Sequence, residues 1–469
     1  EATSGHLRRL QRREYTLQVH PILFRLPIPG FGEVPLYSYG VMLALSLIVG
    51  WYLTLGLAER DRLPVGVMAN CYVVTAIAAV AGSRVLYVLT NLHEFDSVLS
   101  VFEFRSGGLV AYGGFLGGFA GSWAYLAYKK VPLLPWADVA VPSLASGLAI
   151  TRIGCYLYGC DFGKPLAESS PAWLKKLGSF PHWAPGTVEA GRDGSPAWVQ
   201  HVHERGLDVG AATSLPVHPT QLYESLVGLA LLAFLLRARA TQRFRGEIFL
   251  WFTFLYGAAR FSLELVRDDA ERGSIPPALP AHILISGSYF AFAFAYAFGI
   301  APALKHRSLR AITQALAFVP AVFAYLELRP GEFAAAPPVL LSTSQFVGLA
   351  SGVAAAIFFG VLYKVALDNP RLAMALPDFS HLEPESDDDA EQPRGPKRDE
   401  GSERGTDDAK DEPTAAGDGD EVDEASADPS EEASPPKPAP RPGPKVSKPK
   451  ASARATDGDA KSGQSDDEA

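Results

Sequence analysis

Arg152 stands inside the apolar run Leu144–Tyr158 and is followed at once by Ile-Gly-Cys-Tyr-Leu-Tyr-Gly-Cys-Asp-Phe-Gly-Lys-Pro, a polar stretch punctuated by glycine. An arginine in hydrocarbon costs roughly 2.5–3.5 kcal/mol on insertion scales, so it persists where a partner or an anionic ligand holds it. A second charged stripe reads Tyr256-Gly-Ala-Ala-Arg260-Phe-Ser-Leu-Glu264-Leu-Val-Arg267, with polar groups at i, i+4, i+8 and i+11. In an α-helix these share one face. Arg84, in Ser83-Arg84-Val-Leu-Tyr87, is another guanidinium within an apolar run. His218-Pro-Thr-Gln-Leu-Tyr-Glu224 reads as a helix start, with Pro219 in the first turn, His218 or Thr220 as cap, and Gln221 and Glu224 on one face. Set against Glu224 and Glu264, the arginines at 84, 152, 260 and 267 leave a positive surplus. A membrane cavity lined by guanidiniums suits a phosphate, whose oxygens accept paired N–H donors. The plainer alternative for Arg260 and Glu264 is an internal ion pair that stabilises a bundle.

Other groups stand near these in sequence. Glycines crowd Gly107-Gly-Leu-Val-Ala-Tyr112-Gly-Gly-Phe-Leu-Gly-Gly-Phe-Ala-Gly121, where they permit a close helix crossing or let backbone N–H groups face a head group beside the Tyr112 hydroxyl. Tyr39, in Leu36-Tyr-Ser-Tyr39-Gly40, falls at the edge of an apolar run, where tyrosines usually form an interfacial belt. Three cysteines, Cys71, Cys155 and Cys160, are too few for a disulfide scaffold; the last two read as small residues packed at a helix end, with a pairing near the outer face as the alternative. Histidine-rich tracts, H-E-x-x-H and C-x-x-C pairs are absent, so no metal site and no cofactor are expected.

Long apolar windows must carry these residues. Spans near 37–57, 68–90, 108–128, 136–159, 221–237, 246–266, 279–300, 311–328 and 341–364 are each of a length to cross about 30 Å of hydrocarbon, which predicts about nine transmembrane helices in an all-α polytopic integral membrane protein. Alternate loops collect the basic residues: Arg60 and Arg62; Lys129 and Lys130; Arg237, Arg239, Arg243 and Arg245; Lys305, Arg307 and Arg310; then Lys364. By the positive-inside rule the N-terminus is outside and the C-terminal tail inside. Arg8, Arg9, Arg12 and Arg13 run against this, which an interfacial N-terminal segment reconciles.

The net charge of −9 averages two unlike pieces: residues 370–469 carry 13 basic and 27 acidic residues, the preceding chain 29 and 24. Rich in Asp, Glu, Pro, Ser and Gly, the tail cannot bury enough apolar surface to offset its ordering entropy and reads as disordered. Two functional classes fit the membrane part: an enzyme that grips a lipid phosphate, or an anion channel or transporter with an arginine-lined path. A long loop, 160–220, lies over one face only and no internal repeat is visible, which favours the enzyme.

Several ordered blocks within residues 20–270 resemble prolipoprotein diacylglyceryl transferases. They are Tyr39-Gly40, Ser83-Arg84-Val-Leu-Tyr87, Gly107-Gly108 through Tyr112-Gly113-Gly114, Arg152-Ile-Gly-Cys with Gly159 and Gly163, His218-Pro-Thr-Gln-Leu-Tyr-Glu224, and Tyr256-Gly-x-x-Arg260-x-x-x-Glu264. The resemblance implies transfer of diacylglycerol from phosphatidylglycerol to the lipobox cysteine thiol of a preprolipoprotein, with release of glycerol phosphate. It implies a bacterial inner-membrane setting, with the bilayer, phosphatidylglycerol and the lipobox or signal peptide as partners and no nucleic acid. By the same matching Arg152 and Arg260 hold the lipid phosphate with Arg84, Gly159 and Gly163, while Glu264 positions Arg260 and Tyr39 lies near the head group. Many members carry His-Gly-Gly where this chain has Tyr112-Gly113-Gly114, and Asn where it has Cys155. His218, Glu264 and Tyr112 all stay open as the base.

The resemblance also divides the chain. Residues 1–36 form an extramembrane or interfacial segment, 37–274 a six-helix transferase core with the periplasmic loop 160–220, and 369–469 the cytoplasmic tail. The family's closing helix begins with a Ser-x-x-Gln-like stretch, which Leu341-Ser-Thr-Ser-Gln345 resembles. Residues 339–368 are then the closing helix of a seven-helix pattern, and 275–338 an inserted helical hairpin.

Overall fold

The computed structural model describes residues 21–30, 32–95, 108–183, 194–268, 273–331 and 336–382. The arginine-rich start and nearly all of the acidic tail lie outside the described residues. Among the described residues nine long helices follow in order: α1 (Ser38–Arg60), α2 (Val65–Thr90), α3 (Ala111–Tyr128), α4 (Leu133–Tyr158), α5 (Thr220–Arg239), α6 (Glu247–Glu264), α7 (Ala281–Ala295), α8 (Arg307–Leu328) and α9 (Thr343–Asp368). α7 continues through a π-helical turn, Tyr296–Ile300, and a tight final turn, Ala301–Ala303. By length and composition, seven of the described helices suit a membrane span. The other two are the 18-residue α3, diluted by glycine and tyrosine, and the 18-residue α6, which carries Glu247, Arg260 and Glu264. Each still reaches about 27 Å, most of a hydrocarbon core.

Two antiparallel ribbons, unforeseen from the sequence, frame the helices. β1 (Ile22–Ile28) pairs with β2 (Gly32–Tyr37) just ahead of α1. β3 (Ile275–Pro280) pairs with β4 (Pro338–Leu341), so the chain leaves for α7 and α8 and returns to α9 through one clasp. Both contain prolines, which a two-stranded ribbon tolerates because each strand keeps an unpaired edge.

Small residues set the closest crossings. A Cβ on Gly82 of α2 would lie 2.4 Å from the Gly113 carbonyl oxygen of α3, and one on Gly257 of α6 would lie 2.5 Å from that of Gly348 on α9. Helices in lipid gain from such approach because dispersion, not water exclusion, joins them. The glycine run around Tyr112 is therefore mainly a crossing surface.

α4 is the most enclosed of the candidate spans and registers α6 along the membrane normal. The fully buried Asp138 carboxylate accepts from the backbone N–H groups of Gly246 at 2.6 Å and of Ile248 and Phe249 at 3.0 Å, capping the N-terminal end of α6. Gln242 adds a side-chain donor at 2.6 Å. Capping groups of this kind satisfy helix N–H groups that have no partner in their own turn. From that shared origin Arg152 lies fourteen residues up α4 and Arg260 twelve up from Ile248 on α6. At 1.5 Å per residue these are rises of about 21 and about 18 Å, which brings the two arginines to nearly one depth.

Candidate active site

α4 ends where Gly159 turns left-handed, at φ +82°. The Cys160 N–H donates to the Cys155 carbonyl at 3.2 Å and the Gly159 N–H to that of Tyr156 at the same distance, the paired bonds of a Schellman cap. The turn throws Asp161 back over the helix end. Its carboxylate meets Arg152 Nη1 at 2.7 Å and Arg267 Nη2 at 2.6 Å. Burial works to raise the Asp161 pKa, but the two guanidiniums outweigh it and bring the carboxyl down to about 2.

Glu224, in the second turn of α5, is the hub. It pairs with Arg152 Nε, with Arg260 Nη1 at 3.0 Å and with Arg267 Nη1 at 3.6 Å. Glu264 holds Arg260 Nη1 at 2.9 Å, one turn along α6. Gln221 donates to the Cys160 carbonyl and Thr220 Oγ1 to that of Asp161 at 2.5 Å, so α5 also pins the loop after α4. Arg260 Nη2 donates to Ser344 Oγ at 3.1 Å, and the Tyr112 hydroxyl reaches the same oxygen at 2.9 Å. One serine thus ties α3 and α6 to the start of α9. That start is fixed by a capping box in which Ser342 Oγ accepts from the Gln345 N–H at 3.1 Å and Gln345 Oε1 from the Ser342 N–H at 3.0 Å.

The site residues expected from sequence fall into three groups. Arg152, Arg260 and Glu264 converge, with Tyr112 joined through Ser344. Tyr39 lies beside them: a Cβ on Gly154 of α4 would sit 3.2 Å from Tyr39 Cα, and the tyrosine is 44% exposed. Gly159 and Gly163 shape the loop, since the Gly163 N–H donates to the His218 carbonyl at 3.0 Å and Gly163 pairs with Arg267 in an antiparallel bridge. His218 turns its ring toward Tyr223, Nδ1 to hydroxyl 3.3 Å, on the loop side of the cluster. Burial, helped by Lys164, pushes its pKa below the usual value. Arg84 is buried on α2, donates to the Gly108 carbonyl at 3.1 Å, and lies over the rings of Tyr87 and Phe95, bracing the approach to α3.

Two residues were missed. Asp161, as the partner of Arg152 and Arg267, sets a third carboxylate against the three guanidiniums of the cluster, Arg84 being held elsewhere on α2. Ser344 lies far along the chain from its partners, and the Ser-x-x-Gln-like stretch was its one signal. Cys155, Cys160 and Asp161 bring their ligand atoms within 4.8 Å of one another. Two guanidiniums already hold that carboxylate, which leaves the trio poorly suited to a cation.

The network is graded from core to mouth. Glu264 and Glu224 side chains are 1% and 3% exposed, Arg260 and Arg152 15% and 18%, and Asp161 29%. Buried carboxylates hold the arginines, which keep partial exposure, with the half-exposed Tyr39 close by. An anion arriving there finds preoriented donors, with Asp161 as the acceptor most readily displaced.

A family model for prolipoprotein diacylglyceryl transferase matches residues 25–301, more than half of the chain. A phosphatidylglycerol–prolipoprotein diacylglyceryl transferase of Clostridium tetani is 26% identical over 280 residues, 60% of this chain and 95% of that protein. One from Clostridium perfringens is 25% identical over 254 residues, 54% of this chain and 84% of its own length, and one from Clostridium botulinum is 24% identical over 253 residues, 54% and 88%. Matches of this extent, on a bundle of apolar helices, decide between enzyme and channel: the chain is an integral membrane transferase and belongs to the prolipoprotein diacylglyceryl transferase family.

Proposed function

We propose that the protein moves the diacylglyceryl group of phosphatidylglycerol onto the lipobox cysteine thiol of a preprolipoprotein. The observation that carries this reading is the pair Arg152 and Arg260, bridged through Glu224 and partly open at the mouth. Both guanidiniums grip the lipid phosphate, Glu264 orients Arg260, and Tyr39 stands by the head group. The incoming sulfur attacks the glycerol carbon that bears the phosphate ester. A C–S bond forms, the C–O bond breaks, and glycerol phosphate leaves with its new charge against the arginines.

The thiol proton needs an acceptor. Tyr112 is held as a donor to Ser344 and Glu264 is committed to Arg260, whereas His218, with its lowered pKa, is an unprotonated imidazole at neutral pH. His218 is therefore the base best prepared by its surroundings. Gly159 and Gly163 keep the loop close, and Arg84 acts on the lipid site by bracing the approach to α3.

The enzyme lies in the bacterial inner membrane with its N-terminus and the mouth of the site outside and its tail inside. Residues 37–274 and 339–368 make up the catalytic bundle. We read 275–338 as an added hairpin; the clasp of β3 and β4 supports this, since α9, beyond it, packs on α6 and hands Ser344 to Arg260.

The test is direct. Purified protein incubated with phosphatidylglycerol and a lipobox peptide is expected to release glycerol phosphate and shift the peptide's mass. Arg152→Ala and Arg260→Ala are expected to abolish both signals while accumulating normally in the membrane. Normal transfer by either variant refutes the assignment.

A further inference from the structure

The Schellman cap that ends α4 does more than turn the chain. In this motif the side chains three positions before the cap residue and two beyond it commonly touch, and around Tyr158 those positions are Cys155 and Cys160. Their sulfurs lie within 4.8 Å of each other, each in reach of the Asp161 carboxylate. Cys155 is buried and Cys160 half-buried. Cys155 Sγ also accepts from Arg152 Nη1 at 3.8 Å, so the pair touches the arginine that meets the substrate. Cys71, the remaining cysteine, is buried on α2.

We infer that Cys155 and Cys160 are a redox-active thiol pair that closes to a disulfide at the mouth of the site. A disulfide needs its sulfurs at about 2.05 Å, which side-chain rotation supplies while the backbone cap stays in place. The reactant is an oxidised dithiol of the disulfide-exchange class, fitting a site on the outer, oxidising side of the membrane. Cys160, the more accessible sulfur, attacks the oxidant's disulfide as its thiolate and forms a mixed disulfide. Cys155 then attacks Cys160 Sγ, and the oxidant departs as a dithiol. Two S–H bonds are lost and one S–S bond is gained; two electrons and two protons pass to the oxidant. The hydrogen bond with Cys155 and burial hold the Cys160 pKa up, which keeps its thiolate scarce and makes that first attack the slow step. Closure draws Cys155 Sγ away from Arg152 and tightens the loop that carries Asp161.

Thiol counting tests the bond without reference to catalysis. Wild-type protein in detergent is treated with oxidised glutathione or with dithiothreitol, then denatured and alkylated. Of three cysteines, the reduced protein labels at all three and the oxidised protein at Cys71 alone. Peptide mapping finds the pair linked, and dithiothreitol restores three labels. Three labels after oxidation, a link to Cys71, or stoichiometric zinc retained in place of the disulfide each overturns the inference. A second arm rests on the transferase reading: the ratio of reduced to oxidised transfer rates is expected to be on the order of 100 in wild type, the scale for a group misplaced by about an ångström. In Cys160→Ser the ratio falls to one, whatever its basal rate. A linked pair with no transfer in either state leaves the disulfide standing and removes the transferase reading; a linked pair with equal rates removes the coupling to Arg152.

Discussion

A guanidinium is useful in this site for its shape as much as its charge. Arg152 engages Glu224 through Nε and Asp161 through Nη1, two edges of one planar fork, which an ammonium cannot copy. Arg152→Lys is expected to lose transfer nearly as fully as Arg152→Ala, measured as glycerol phosphate release at saturating lipid. Ser344→Ala removes a hydrogen bond to a charged donor, worth roughly 1.5–3 kcal/mol, and is expected to lower kcat about tenfold or more. Ser344→Thr should recover most of the loss; equal rates for Ala and wild type would detach Ser344 from the site. If His218 takes the thiol proton, kcat/KM falls as acid protonates it, at a pH below the usual histidine value of about 6.5 because burial and Lys164 depress it. His218→Ala should flatten that acid limb, and an unchanged limb would move the role elsewhere. Arg152, Arg260, Glu224 and Glu264 were legible in the sequence because a charge within an apolar run needs a reason and helical spacing says which charges share a face. Asp161 was not, because its reach depends on a left-handed turn two residues earlier.

The helices were legible almost in full, and their registration was not. Hydropathy gave nine windows within a few residues of nine helices, and the glycine run before Gly121 announced a crossing. Nothing in the local pattern announced that Asp138, deep in α4, caps α6 across more than a hundred residues of chain. Asp138→Ala leaves those N–H groups without their acceptor, a loss of about 1 kcal/mol or more for a cap, and frees α6 to slide or tilt. Thermal unfolding in detergent is expected several degrees lower, with transfer reduced although no outer-face residue has changed; an unaltered melting curve would show that α6 is registered by other contacts. Gly257→Val presses a side chain onto the Gly348 backbone and should separate α6 from α9, carrying Ser344 away from Arg260. The ribbons escaped notice because proline-bearing strands of this kind have neither clean alternation nor β-branched enrichment.

At the scale of the molecule, the proposed mechanism depends on orientation, since the proposed lipobox substrate and oxidant would be met on one side only. With the orientation proposed from the basic loops, protease added to intact spheroplasts is expected to spare the acidic tail while inverted vesicles lose it. Cleavage of the tail from outside would invert the topology. Excising the α7–α8 hairpin in register removes two crossings and is expected to preserve that protection pattern. The faces of α9 laid bare, around Gly352 and Gly360, would meet acyl chains as apolar as the helices they replace, so the loss is one of packing alone. The clasp itself has a practical corollary. Because β3 and β4 are hydrogen-bonded partners, whatever lies between them begins and ends at one spot. Chain length added there carries only a slowly growing closure entropy. That spot is a docking port for a grafted reporter, from which the state of the arginine cluster can be watched without a label inside the bundle.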